Sequence, residues 1–240
     1  MENIFLFSLF IESFPNLLSR LHVTLNIVVV ALFFGIFFGA YLAVVRLYKV
    51  PVLAQLATAY ISFIRGIPIL VLLYIVYIGL PLLVGTFGIN INRWDALIFV
   101  MIAYIMNTAA FLSEIIRSSV SGVERGQIEA AYSIGLTHWQ TFKRIIAPQA
   151  VQIALPSFGN TVVSLLKDTS LAYTLGVIDV IGIINAISTR THRSLEAYAA
   201  AAIIFFVLSS LLEKLFNVLE RKLGVRSSFT SSRVSINKKM

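Results

Sequence analysis

The sequence has no cysteine, which excludes disulfides, thiolate metal sites and cysteine nucleophiles. Charge is also scarce. Asp, Glu, Lys and Arg make up 12% of the 240 residues, against 58% hydrophobic. A soluble domain carries charge on roughly a quarter of its residues, so there is too little here to cover a water-facing surface. The three histidines, His22, His138 and His192, lie in separate stretches, and a metal cluster is not expected. No Walker sequence, Gly-rich phosphate loop or Ser-His-Asp order occurs. The chain is therefore not expected to be an enzyme or to hydrolyse ATP alone, and active work would draw on a partner or an ion gradient. Arg20 is the first cation, so no basic region announces a cleaved leader. An inverted repeat of the secondary-transporter kind is not visible.

The chain does contain long apolar runs. A bilayer crossing needs about 20 mainly apolar residues, and the pattern predicts an all-α integral membrane protein with five transmembrane helices, at 21–47, 52–84, 95–119, 149–168 and 196–222. A segment at 1–16 precedes them, and a basic, Ser-rich tail at 224–240 is expected to be disordered. The net charge of +8 reads as a topology signal rather than a nucleic-acid footprint. Arg46 and Lys49 follow the first span, and Arg117, Arg125, Lys143 and Arg144 lie between the third and fourth. Lys214, Arg221, Lys222, Arg226, Arg233, Lys238 and Lys239 lie near the end. Basic loops stay cytoplasmic, which predicts an external N-terminus and a cytoplasmic C-terminus. Arg190 and Arg193 depart from that pattern; their loop is taken as external and partly re-entrant.

Several polar residues fall at bilayer depth. Asn107 and Asn160 lie near the centres of the third and fourth apolar stretches, and both amides should face protein or a water-filled path. Interhelical hydrogen bonding and substrate contact both remain open for them. Arg65 precedes Gly66 and Pro68. A charge inside a span is a functional candidate by default, with snorkelling or pairing to Glu114 as the plain alternative. Pro68 frees the carbonyl of Ile64, so a bend is expected there. In the fourth segment Pro156 and Gly159 suggest a helix break beside Asn160. Its apolar run, 153–166, is shorter than the ~20 residues a crossing needs and ends in Lys167-Asp168-Thr169-Ser170. Lys167 and Asp168 could equally form an interfacial stop with a local ion pair. A zwitterion in such a cavity needs partners at both ends: Asn107, Asn160 and Thr161 could supply neutral hydrogen bonds, and Lys167, Asp168 or Arg65 charge.

Between the third and fourth spans runs Arg125-Gly126-Gln127-Ile128-Glu129-Ala130-Ala131-Tyr132-Ser133-Ile134-Gly135. Gly126 punctuates the chain, helix formers follow, and Gly135 should close the helix. A short cytoplasmic helix at 127–137 is expected, with Ala130, Ala131 and Gly135 leaving one side flat for docking into a partner's groove.

At these residues the chain resembles a known family. Glu129-Ala130-Ala131, Gly135, Ile145 and Pro148 are similar to the EAA loop of importer permeases of the ATP-binding-cassette class, with Ala147 where leucine is usual. Phe63-Ile64-Arg65-Gly66-Ile67-Pro68 resembles the Phe-Arg-Gly-Thr-Pro segment of the polar amino acid subfamily, which takes histidine, glutamine, arginine or cystine. Gly126-Gln127, Pro148-Gln149-Ala150, Leu155-Pro156, Asn160 and Lys167-Asp168-Thr169-Ser170-Leu171 fit it too. The resemblance covers roughly 17–223. It implies a type I importer permease in a bacterial inner (plasma) membrane, dimeric, with a homodimer favoured and a heterodimer of related subunits as the alternative. It also implies two cytoplasmic ATP-binding subunits that hold ATP and magnesium, and an external amino acid-binding protein. The coupling role would fall to Gly126, Gln127, Glu129, Ala130, Ala131 and Gly135. A transporter or channel working without an ATPase is the alternative, and it leaves the cytoplasmic loop unexplained.

Overall fold

The computed structural model describes residues 5–224, and among these every regular element is helical. We number them α1 (Phe7–Ser19), α2 (Leu21–Leu47), α3 (Leu53–Gly66), α4 (Ile69–Gly85), α5 (Ala96–Ser121), α6 (Arg125–Ser133), α7 (His138–Thr141), α8 (Ala147–Asp168), α9 (Gly182–Thr191) and α10 (Leu195–Lys222). A π turn at Ile75–Gly79 lies within α4, a second at Phe142–Ile146 joins α7 to α8, and a 3-10 turn at Thr169–Leu175 follows α8. The basic tail falls outside the described residues.

Three helices, α2, α5 and α10, are long and apolar enough to cross a bilayer singly. The stretch read as one span at 52–84 is instead two helices. Ile67 and Pro68 are both extended, and α3 and α4 meet at 114°. Proline supplies no N–H and pushes the preceding residue out of the helical region, so the expected bend becomes a full corner. The segment at 1–16 is helical from Phe7, and α1 lies against α10 and α9. Glu196, 2% exposed, ties these parts together. Its carboxylate accepts from the Leu6 backbone N–H at 3.0 Å and pairs with Arg193 at 3.1 Å.

The tightest helix pair is α2 with α5. Gly35 and Gly39, four residues apart, lie on the face of α2 that meets Thr108, Ala109, Leu112 and Ser113. A Cβ on Gly35 would stand 2.6 Å from Thr108 Cγ2, and one on Gly39 would stand 3.0 Å from the Ala109 carbonyl oxygen. Lipid tails give helices no hydrophobic reason to associate, so small residues that permit close backbone approach carry the packing. The opposite face of α2 displays Val29, Phe33, Phe37 and Val44, as a lipid-facing surface should. Near the end of the pair, Glu114 bonds Arg46 at 2.6 Å and also Arg117. The sequence reading offered Arg65 as the partner of Glu114; Arg46 takes that place because it ends α2, which lies directly on α5. Arg65 instead stands 5.2 Å over the Phe111 ring, a cation–π contact.

The connection between α8 and α9 contains the fully buried Asp179. Its Oδ1 accepts from the N–H groups of Ile181 and Gly182, capping α9, while Oδ2 has no partner among the described residues. Gly182 is required here because a Cβ would collide with the Val177 carbonyl oxygen. Burial raises the Asp179 carboxyl to about 6. A raised native value means the folded chain holds its proton where the unfolded chain has lost it. Stability on this account is highest below about pH 4 and falls as pH rises through 6. Asp179→Asn keeps the capping oxygen and removes the charge. Thermal melts in detergent are expected to lose their slope between pH 4 and 6.5, and the variant to be the more stable protein above pH 7; an unchanged slope would exclude Asp179 as its source.

Candidate functional site

Helix α8 carries the first candidate surface. Pro156 and Gly159 do not break it, contrary to the sequence expectation. It runs for 22 residues, about 33 Å at 1.5 Å per residue, against a hydrocarbon core of about 30 Å. Its polar positions therefore extend the short apolar run to a crossing length. Pro156 still removes one N–H from the ladder and frees the carbonyl four residues earlier, that of Gln152. Gly159 keeps the helix close to α10, because a Cβ there would lie 2.9 Å from the Phe216 ring. With Gly159, Val162, Val163 and Leu166 buried, the opposite face is exposed. That face holds Ser157, Asn160, Ser164 and Lys167, spaced three or four residues apart, so all four share one stripe about 15 Å long.

The side chains on this stripe are short of partners. Asn160 makes no hydrogen bond among the described residues, and the same holds for Asn107. The interhelical hydrogen bond considered for the two amides is therefore not made among the described residues. Lys167 and Asp168 do not form the local ion pair. The Asp168 backbone carbonyl instead accepts from the buried Tyr104 hydroxyl, which fixes the end of α8 to α5. Thr161 is turned partly inward and donates to the Ser157 carbonyl at 2.9 Å. On α5, Asn107, Phe111 and Glu114 share a face by their spacing, and Arg65 joins them through the Phe111 ring. The structure thus groups Asn160 and Lys167 on α8, and Arg65 with Asn107 along α5. Ser164 completes the α8 stripe and was missed in the sequence. Its signal was present as the four-residue step from Asn160, but an isolated serine in an apolar run reads as neutral.

The second candidate surface is the α6–α7 corner. The helix begins at Arg125, two residues earlier than expected, and ends at Ser133. Gly135 closes it at φ +82°, with the Leu136 N–H bonding the Ala131 carbonyl at 3.1 Å. This is a left-handed closure that glycine adopts without strain. Thr137 and Gln140 form a reciprocal capping box on α7, and the Tyr132 hydroxyl meets His138 Nδ1 at 2.8 Å. Ala130 and Ala131 do not share a flat side. Consecutive helical residues point about 100° apart, and Ala131 is buried while Ala130 is exposed. Gly126, Gln127, Glu129, Ala130 and Gly135 are exposed, along with Tyr132, Ile134 at 78% and Trp139 at 68%. Tyr132, Ile134 and Trp139 thus leave large apolar side chains exposed at this corner, a feature that a docking surface would cover. Ile134 and Trp139 escaped the sequence reading because single apolar residues in a loop carry no periodicity. No group of three or more potential metal ligands occurs among the described residues.

Comparison with known proteins places this geometry in context. Residues 35–225 match the family model described as "Binding-protein-dependent transport system inner membrane component". The L-cystine transport system permease protein TcyL of Bacillus subtilis (strain 168) is 43% identical over 93% of each chain. The glutamate/aspartate import permease protein GltK of Escherichia coli O157:H7 is 36% identical over 88% of this chain and 95% of its own. Among solved structures, an amino acid ABC transporter crystallised with histidines has a chain that superposes with a TM-score of 0.82. It is 32% identical and covers 92% of this chain and 100% of its own.

Proposed function

The chain belongs to the family of binding-protein-dependent transport system inner membrane components, and on that premise we propose that it is the permease subunit of an ATP-driven importer of polar amino acids. The relatives' names point to the substrate class: one moves L-cystine and another glutamate and aspartate. A cystine-like, doubly zwitterionic amino acid is our leading candidate. The single observation that carries the reading within the family is the exposed, internally locked helix Arg125–Ser133 with its Gly135 closure. A channel or ion-driven transporter would have no use for it.

In this reading the protein crosses the bacterial inner membrane five times, through α2, the cornered pair α3–α4, α5, α8 and α10. The N-terminus is outside and the C-terminus in the cytoplasm. Polar groups cannot face hydrocarbon unsatisfied, so the stripe from Ser157 to Lys167 borders a water-filled path completed by a second permease copy. Asn160 and Asn107 supply neutral hydrogen bonds to the amino acid, while Lys167 and Arg65 attract its carboxylate. Two cytoplasmic ATPase subunits bind ATP and magnesium and grip the α6–α7 corner. Their closure moves that corner and switches access of the path. An external binding protein delivers the substrate.

The test acts on Gly135. Open space surrounds it, so a leucine there meets no wall of its own chain. It would meet the ATPase and would strain the left-handed backbone by about 1–2 kcal/mol. Gly135→Leu is expected to abolish substrate-stimulated ATP hydrolysis in proteoliposomes, whereas Gly135→Asn, which tolerates that backbone, should retain it. Normal stimulation and uptake by Gly135→Leu would sink the coupling reading.

A further inference from the structure

The turn between α9 and α10 carries charges that membrane insertion does not ask for. In the proposed importer it lies outside, where short flanks are normally poor in Lys and Arg, yet Arg190, His192 and Arg193 all stand there. The structure divides them. Arg193 is used internally: its guanidinium bonds the buried Glu196, which also accepts from the Leu6 N–H. Arg190 and His192 are exposed, and neither side chain has a hydrogen bond or ion pair among the described residues.

The backbone beneath them is fixed. His192 closes α9 in the left-handed region at φ 55°, its N–H bonding the Ser188 carbonyl at 2.8 Å. Glycine is the usual residue for such a closure, as at Gly135; a histidine there accepts strain and keeps a side chain on the surface. The Thr191 hydroxyl donates to the Ile187 carbonyl at 2.9 Å and accepts from the Arg193 N–H at 3.3 Å. Behind the turn, Ile183, Ile184 and Ile187 join the apolar cluster of Leu17, Val180 and Ala200. The exposed positions of α9 are then Asn185, Ala186, Thr189 and Arg190. A helix that rests on lipid displays an apolar face, and no large apolar side chain of α9 is exposed. Its outer face is polar and carries a free cation at the end that His192 closes.

We propose that the outer face of α9, with its closing turn, is a docking surface for a soluble external protein that presents carboxylates to it. Arg190 pairs with one of these carboxylates and His192 hydrogen-bonds beside it. The proposal rests on the importer function and topology argued above, in which that protein is the amino acid-binding protein. Charge complementarity selects an acidic partner face, because a free guanidinium offers a carboxylate two parallel N–H donors. Arginine is also enriched among the residues that carry protein–protein binding energy. Helix α9 packs in turn against Thr169–Leu175, the segment that ends α8, so a protein seated here presses on the outer end of the helix that bears Lys167.

The test uses the assembled importer in phosphatidylcholine nanodiscs and its own purified binding protein, with association followed by biolayer interferometry at low and at physiological salt. Arg190→Glu is expected to slow association about tenfold at low salt and to flatten its salt dependence, as loss of a steering charge does. Arg190→Lys keeps the charge and should keep the salt dependence. His192→Gly keeps the left-handed closure and deletes only the side chain, so binding should weaken roughly threefold with an unchanged melting temperature. Basal ATP hydrolysis should be that of the parent in all three, since neither side chain has an internal bond to lose among the described residues. Association unaltered by Arg190→Glu, in an importer that otherwise binds its partner, would overturn this surface alone. No association with the unmodified importer would overturn the importer function along with it. A rate difference that appears only when phosphatidylglycerol is added to the nanodiscs would assign Arg190 to lipid and would likewise overturn the proposal.

Discussion

Gly35→Leu should remove the folded protein from the membrane. An added Cβ would stand 2.6 Å from Thr108 Cγ2 and 2.8 Å from Thr108 Cβ, distances that real side chains do not tolerate. Neither partner can swing aside, since Thr108 is 1% exposed and Gly35 is itself buried in the α2–α5 seam. The helices must separate along their closest interface, which is held by dispersion between small residues. Overpacking in a dense core costs about 1–3 kcal/mol for modest insertions and more for large ones. Against a total stability of about 5–15 kcal/mol, a leucine here should leave little native protein. Size-exclusion chromatography and thermal melts of the solubilised chain measure this. Gly85→Leu is the control, because nothing lies within 4 Å of a Cβ there, and it should behave as the parent. Gly35→Ala combined with Thr108→Gly removes both colliding atoms and should recover much of the loss. A stable, monodisperse Gly35→Leu protein would show that α2 and α5 are not held as described.

Asn160→Ala should lower the kcat/KM of uptake about ten- to hundredfold while assembly with the ATPase is unchanged. The range follows from a hydrogen bond to a charged group, worth about 1.5–3 kcal/mol. Asn160 is exposed on the α8 stripe and has no hydrogen-bond partner among the described residues, so its removal strands no bond there and the fold should not respond. Thr161→Val is the instructive neighbour. Its hydroxyl already serves the Ser157 carbonyl within the helix, and the expected effect is less than threefold on the same scale. Radiolabelled amino acid uptake into proteoliposomes containing the assembled importer separates the two. Unaltered uptake by Asn160→Ala would take Asn160 off the pathway.

Where sequence and structure part, the cause is mostly three-dimensional proximity. The long crossings α2, α5 and α10 were legible because run length alone reports bilayer thickness. The corner at Ile67–Pro68 was legible as a bend and not as a break, since proline weakens a helix but its neighbours decide how far the chain turns. Gly35 and Gly39 went unremarked because a four-residue glycine step gains meaning only when a facing helix is known. For the same reason Glu114 was offered to Arg65 rather than Arg46: depth can be counted along a sequence, azimuth and neighbour cannot. Pro156 and Gly159 misled in the opposite direction. Each weakens a helix alone, yet α8 continues through both, with Gly159 closing on Phe216. Glu129, Ala130 and Ala131 lie on a short helix as the sequence suggested, with Gly135 just past its end, but the partition of Ala130 from Ala131 required the helix's rotation.

The α6–α7 corner is locked at three points: the left-handed closure at Gly135, the Thr137–Gln140 capping box, and the Tyr132–His138 bond. Each lock removes conformational freedom at the time of folding. A surface ordered in advance loses little entropy when a partner seats on it, so more of the contact energy appears as affinity. The same stiffness has a mechanical side. A compliant loop would absorb the displacement of a moving subunit by bending, and the work of each ATP would dissipate there. In the importer proposed above, a corner held at these points would pass more of that displacement through the Phe142–Ile146 turn into α8, the helix that bears Asn160.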